Sequence, residues 1–318
     1  MRLAADQAIK PGSHVARLQA MAKKLRAHAS SDVARDWLDA TGSLPWIQPR
    51  RLYQYPAKKD LFPRSAVLKL PAEHRALLLS REFDERAYYD GRYGNGLAYW
   101  PLIEALAGAG VSSLAGLRVL DIGYATILPL RLMACLGART LGIDTDTFPI
   151  AMYGEPGDTG SIRAIKAKTN PGAVPGSIEV SRGRVGTDWT PEPESLDLIV
   201  SRNTLKNGYV HPGAAYAHEP NVRLDLDDRA FLRVVRESLR RGGLFVIYNT
   251  FDPAEAGPGA DGRSPFSRED CANAGFEVLA FDEPDDERQA TFADVVRATG
   301  LPAVGAVPRA LRTVVRAA

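Results

Sequence analysis

The chain has 318 residues, 45% of them hydrophobic, with 40 Lys/Arg against 38 Asp/Glu and a formal net charge of +2. That length allows one large domain or two modest ones, and that apolar content supports a packed core and excludes a disordered chain. No apolar run approaches the about 18 residues of a membrane helix, and the amino terminus has no signal-type apolar region, so a soluble, cytoplasmic protein without membrane partners is expected. The charge is unevenly spread. Residues 1–110 carry 17 Lys/Arg against 11 Asp/Glu, and the remainder 23 against 27. A basic amino-terminal part suits an acidic substrate or an acidic carrier protein, although ordinary surface charge explains it equally simply. Without a dense basic run interleaved with aromatics, nucleic acid is not an expected partner. Cys135 and Cys271 both fall in expected helices, which fits a reducing compartment.

In chain order, residues 1–10 are expected to fray. Gly12-Ser13 caps a helix to about His28, and Ser30 or Ser31 caps a second carrying Val33, Trp37 and Leu38. Residues 44–63, rich in proline and aromatics, read as an ordered loop, and Pro71 starts a helix through Leu79. Residues 83–100 (FDERAYYDGRYGNGLAYW) surround glycines with Tyr88, Tyr89, Tyr93, Tyr99 and Trp100. They form either a lid or a packed aromatic connector. A helix over 101–107 leads to the linker 108–115.

The next stretch, GLRVLDIGYATILPLRLMACLGARTLGIDTD at 116–146, reads as strand, turn, helix, strand. Arg118–Ile122 is a short apolar run of the buried parallel kind. Leu128, Leu132, Cys135 and Leu136 share one helix face, Pro129 fits the first turn, and Gly137 stops the helix. Asp144, at the end of the second strand, suits a nucleoside ribose, whose two hydroxyls can both donate to one carboxylate. Val119-Leu120-Asp121-Ile122-Gly123 and Gly137–Asp144 resemble the first motif and ribose acid of the class I S-adenosylmethionine-dependent methyltransferases. The resemblance implies a Rossmann-like, doubly wound, mostly parallel seven-stranded sheet over residues 97–318. Residues 1–96 form a helical amino-terminal extension that matches no known pattern. Where the family has its second and third glycines, this chain has Ala125 and Ile127.

Downstream, 148–156 is expected as loop and 159–168 as helix. Strands follow at 178–181, 195–201, 244–249, 276–281 and 311–316, with helices at 227–241 and 287–299. Ser267-x-x-Asp270 is a capping box, and 252–264 reads as a mobile loop. In open α/β sheets ligands sit beyond the carboxyl ends of the strands. That rule nominates Gly123, Tyr124 and Ala125 for the methionine part of S-adenosylmethionine and Asp144 for its ribose. Gly186-Thr187-Asp188-Trp189 resembles the adenine contact of the family, with Asp188 toward the amino group and Trp189 against the ring; it also reads as a plain turn. Residues 201–212 (SRNTLKNGYVHP) hold more polar groups than a helix start needs. His211 is the candidate general base, Tyr209 and Asn203 orient an acceptor, and Arg202 or Lys206 binds an anion. The histidines and cysteines show no metal-ligand spacing.

Three functions follow from this reading. The first is a methyltransferase acting on a small molecule in specialised, natural-product biosynthesis. The second keeps the fold without the cofactor and catalyses a cyclisation or elimination on an acidic or carrier-bound substrate. The third is a non-catalytic subunit that supports a partner, forming a homo- or hetero-oligomer through the amino-terminal extension.

Overall fold

The computed structural model describes residues 12–56, 58, 60–92, 94–219, 221–300 and 308–318. The terminal residues expected to fray and Tyr93 of the aromatic segment lie outside them.

Two serine hydroxyls set the amino-terminal helices. Ser13 accepts from the Ala16 amide at the start of α1 (His14–Arg26), and Ser31 from the Ala34 amide at the start of α2 (Asp32–Asp39). The segment expected as loop folds instead into β1 (Arg50–Gln54) and β2 (Leu61–Pro63), followed by the short helices α3 (Arg64–Val67) and α4 (Ala72–Ala76). The expected helix from Pro71 ends at Ala76, and Leu79 opens β3 (Leu79–Phe83). The three strands make an antiparallel sheet in the order β2-β1-β3. Flanking prolines disguised β1: they punctuate the sequence, yet leave five residues free to pair.

The aromatic segment carries α5 (Glu85–Asp90) and leads into α6 (Trp100–Gly108). Tyr88, Tyr89, Tyr99 and Trp100 are all buried, so these rings are core rather than a cover.

The α/β part follows: β4 (Arg118–Ile122), α7 (Ile127–Cys135), β5 (Arg139–Asp144), α8 (Thr147–Met152), β6 (Gly160–Ile162), β7 (Gly176–Arg182), β8 (Leu196–Arg202), α9 (Asn207–Val210), α10 (Asp228–Ser238), β9 (Leu239–Phe251), α11 (Arg268–Asn273), β10 (Phe276–Pro284), α12 (Asp286–Ala298) and β11 (Arg309–Ala317). Three expectations fail here. Residues 147–152 are helical because Asp146 accepts from the Phe148 amide as an N-cap and Pro149 fits the first turn. Residues 160–162 are a strand because the backbone pairs antiparallel with the edge of β7. The helix at 228–238 is shorter than expected, since Leu239 turns extended and begins β9.

These strands form one eight-stranded sheet, ordered β10-β11-β9-β8-β4-β5-β7-β6. β7, β5, β4, β8 and β9 pair in parallel, and β11 runs antiparallel between β9 and β10. This is the Rossmann-like, mostly parallel architecture, with β6 as an added edge strand. Period-two alternation builds both faces. In β9, Leu244, Val246 and Tyr248 face a core shared with α1, α2, α6, α7 and α12. Phe245 and Ile247 face the core under α10 and α11. The amino-terminal helices thus pack into the first of these cores instead of standing apart as an arm. Arg50 in β1 fixes the small sheet to it through two bonds to the fully buried Asp158 (2.9 and 2.7 Å), which also accepts from the Tyr88 hydroxyl at 2.8 Å.

Candidate functional site

A cleft of about 1170 Å³ opens where β4, β5, β8 and β9 end. Its floor is Ile122 at the end of β4 with Gly123 after it, Asp144 at the end of β5, Arg202 at the end of β8, and Thr250 and Phe251 at the end of β9. Its walls are the 86–98 segment, the 252–259 loop and one face of α12. That volume exceeds the roughly 300–1,000 Å³ that holds one drug-sized ligand.

The turn after β4 keeps the conformation the glycine motif requires. Gly123 has φ +73°, and a Cβ there would lie 1.9 Å from the Thr204 hydroxyl, so no other residue fits. Ala125 has φ +50°, the left-handed region a glycine would take freely. Ile127 begins α7 with its side chain fully buried in the core and does not line the cleft. Of the two departures from the glycine pattern, Ile127 therefore stays out of the cleft, while Ala125 lines it.

The amides of this turn have other duties than those expected. Gly123 N–H donates to the Ile143 carbonyl at 2.8 Å, Ala125 N–H to Asp144 Oδ2 at 3.2 Å, and Thr126 N–H to the Tyr124 carbonyl. They are spent within the protein rather than turned toward a ligand carboxylate. Tyr124 points into the core, fully buried, its ring 6.3 Å from that of Tyr153. Asp144 lines the cleft. Its other oxygen accepts from the Asp146 amide at 2.8 Å, and burial raises its pKa against those two bonds. Each oxygen keeps a lone pair, so a ribose diol fits. Ile122, Ile143, Val185 and Leu205 supply apolar lining beside it.

Asp188 and Trp189 do not join the cleft. Asp188 is exposed and accepts from the Arg184 amide at 3.0 Å, closing a turn. Trp189 packs against the core under α10, and Gly183, Arg184 and Val185 reach the cleft in their stead.

Residues 201–212 divide. Arg202, Asn203, Lys206 and Tyr209 line the cleft. Asn203 is occupied in holding β9: its Oδ1 accepts from the Thr250 amide at 2.6 Å and its Nδ2 donates to the Thr250 hydroxyl at 3.0 Å. Burial, with Glu255 second, raises the Tyr209 pKa. His211 lies outside the cleft on an exposed surface, 3.0 Å from Asp228 Oδ2, where it cannot serve as base for a ligand inside. The 252–264 loop, expected as mobile surface, is stitched to this segment. Asn207 donates to Asp261 at 2.7 Å, Lys206 to the Gly259 carbonyl at 3.3 Å, and Gly208 packs so closely on the Pro258 carbonyl that a Cβ would overlap it.

One pair escaped the sequence reading. Asp121, fully buried in β4, accepts from the Tyr99 hydroxyl at 3.1 Å and leaves Oδ2 without a partner. Burial pushes its pKa up to about 7, opposed by the Tyr99 bond. The signal was an acid inside an apolar strand, where a buried carboxylate needs a donor from elsewhere. Among the described residues no cluster could hold a metal ion, and no helix is long and apolar enough to cross a membrane.

No family model and no curated protein matches the chain. Several solved structures are similar over most of it. The [4+2]-cyclase SpnF is 16% identical, over 71% of this chain and 83% of its own, with a TM-score of 0.41. An S-adenosylmethionine-dependent methyltransferase from Mesorhizobium loti is 16% identical, over 69% and 97%, with a TM-score of 0.39. Phosphoethanolamine N-methyltransferase 2 of Haemonchus contortus, in complex with S-adenosyl-L-methionine, is 13% identical, over 85% and 68%, with a TM-score of 0.38. Similarity at this level carries no functional weight, and the fold is read from the strand order above.

Proposed function

We propose that the protein is an S-adenosylmethionine-dependent methyltransferase acting on a small molecule. The observation that carries this reading is Asp144, which lines the cleft at the end of β5, held by two backbone amides, beside a turn whose Ala125 takes the left-handed backbone that favours glycine. The cofactor supplies an electrophilic methyl group. Asp144 holds the ribose, Ile122, Ile143 and Val185 contact the base, and the 201–209 segment aligns the acceptor. A role in specialised biosynthesis fits a cleft roomy enough for a sizeable acceptor.

A second reading, cyclisation or elimination without the cofactor, is favoured by one observation: the amides of Gly123, Ala125 and Thr126 are all committed within the protein. Calorimetric titration with S-adenosylmethionine separates the two. The first reading expects saturable binding that Asp144→Ala weakens about tenfold or more, because two hydrogen bonds to a carboxylate are lost. Absence of heat at millimolar cofactor overturns it in favour of the second.

A further inference from the structure

Most cations of the cleft are neutralised. Arg92 pairs with Asp146 at 3.3 Å, Arg184 with Asp225 at 2.5 Å and Arg297 with Asp294 at 2.5 Å. Arg202, Lys206 and the exposed Arg223 are the exceptions: among the described residues none of them has a carboxylate at ion-pair distance, and of the three only Arg202 and Lys206 are withdrawn from solvent. The Arg202 guanidinium lies 5.8 Å from the Tyr99 ring, and its Nε makes no hydrogen bond. Asp121 acts on it from beyond ion-pair distance; that acid takes the Tyr99 hydroxyl on one oxygen, and burial pushes its pKa up to about 7. Lys206, 4% exposed, has the Gly259 carbonyl and the Tyr209 ring, 5.0 Å away. Glu255 and Asp261 act on it from beyond ion-pair distance, and Asp261 is engaged by Arg263 and Asn207. Burial first, and Arg202 second, bring the Lys206 pKa down to about 8.

A half-buried guanidinium and a buried ammonium that share no ion pair are stabilised when an anion enters the site between them. We propose that Arg202 and Lys206 form a paired oxyanion site that takes the carboxylate or phosphate of the acceptor. Two strand steps separate β8 from β5, about 10 Å, so the pair sits at the end of the cleft away from the ribose acid. Calling the ligand an acceptor rests on the methyltransferase reading; the oxyanion site itself does not.

Calorimetry on the full chain tests this with three probes: inorganic phosphate, S-adenosylhomocysteine and 5′-methylthioadenosine, which lacks the amino acid. Phosphate is expected to bind saturably. Arg202→Gln and Lys206→Met should each weaken it about tenfold or more, while S-adenosylhomocysteine changes less than about threefold. Lys206→Arg, which keeps the charge, should retain phosphate binding and controls for misfolding. Phosphate that gives no saturable heat, or binds both neutral variants as it binds wild type, overturns the proposal. So does a variant that loses S-adenosylhomocysteine but keeps 5′-methylthioadenosine, since the cations would then hold the cofactor's own carboxylate. If wild type binds phosphate but not S-adenosylhomocysteine, the methyltransferase reading falls and the oxyanion site stands.

Discussion

The two ends of the cleft follow opposite electrostatic plans. At the β5 end the carboxylate of Asp144 is held by the amides of Ala125 and Asp146, and the nearby Arg92 is matched by Asp146. At the β8 end Arg202 and Lys206 line the cavity with no carboxylate at ion-pair distance among the described residues. The first end is finished by the protein's own backbone, so it can be rigid before a ligand arrives. The second is completed only by what binds, and the difference marks it as the place where ligand charge enters.

That comparison depends on the frame bringing the ends together, and the largest expected effect comes from breaking it. Asp158 is fully buried, held by Arg50 and Tyr88. Arg50→Ala leaves a buried carboxylate short of its cation and should destabilise the fold by about 3–5 kcal/mol, read as a lowered urea midpoint with unchanged slope. Tyr88→Phe removes one neutral donor and should cost less. Equal, small effects from both would mean that the small amino-terminal sheet is not tied to the cleft through Asp158.

A smaller effect tests the acid between the two ends. Asp121 has a folded-state pKa of about 7, above its ordinary value of 3.8. The native state therefore holds the proton more tightly than the unfolded chain, and stability falls as pH rises from about 4 to about 7. Above 7 the full cost of the buried anion is present. Asp121→Asn keeps an acceptor for Tyr99 and removes that cost, so it should stabilise the protein by up to about 4 kcal/mol at pH 8, with the gain shrinking toward pH 4. A pH-independent difference in denaturation free energy would show that the carboxylate is relieved by something other than protonation.

How legible each end was in the sequence follows from the same contrast. The β4–α7–β5 frame, Gly123 and Asp144 are local: spacing along one continuous stretch fixes them, and the structure returns them nearly residue for residue. The β8 end sets Arg202 over the Tyr99 ring and Lys206 against Tyr209 and the Gly259 carbonyl, groups from separate stretches that meet only after the sheet has ordered. Spacing could nominate Arg202 and Lys206 but could not separate them from His211, which the short helix α9 turns outward onto Asp228. Asp188 and Trp189 misled for a related reason, since a turn closed by its own carboxylate resembles a ligand-binding turn in sequence. β1 was missed because the prolines around it read as loop punctuation although its partner β2 follows closely, and β6 because it is only three residues long and pairs with β7 across an irregular stretch.

The finest test concerns Ala125, where the sequence departs from the glycine pattern and the backbone does not. At φ +50° an L-residue is strained by about 1–2 kcal/mol, and glycine is not. Ala125→Gly relieves that strain but also loosens the unfolded chain by about 0.4–1 kcal/mol, so the net change in stability should stay within about 1 kcal/mol. If the turn already has its binding conformation, the substitution should leave the affinity for S-adenosylmethionine within about threefold, since no contact is added. An affinity that rises by a hundredfold or more would mean that the Ala125 methyl group blocks the cofactor, and the β5 end would then be vestigial rather than finished.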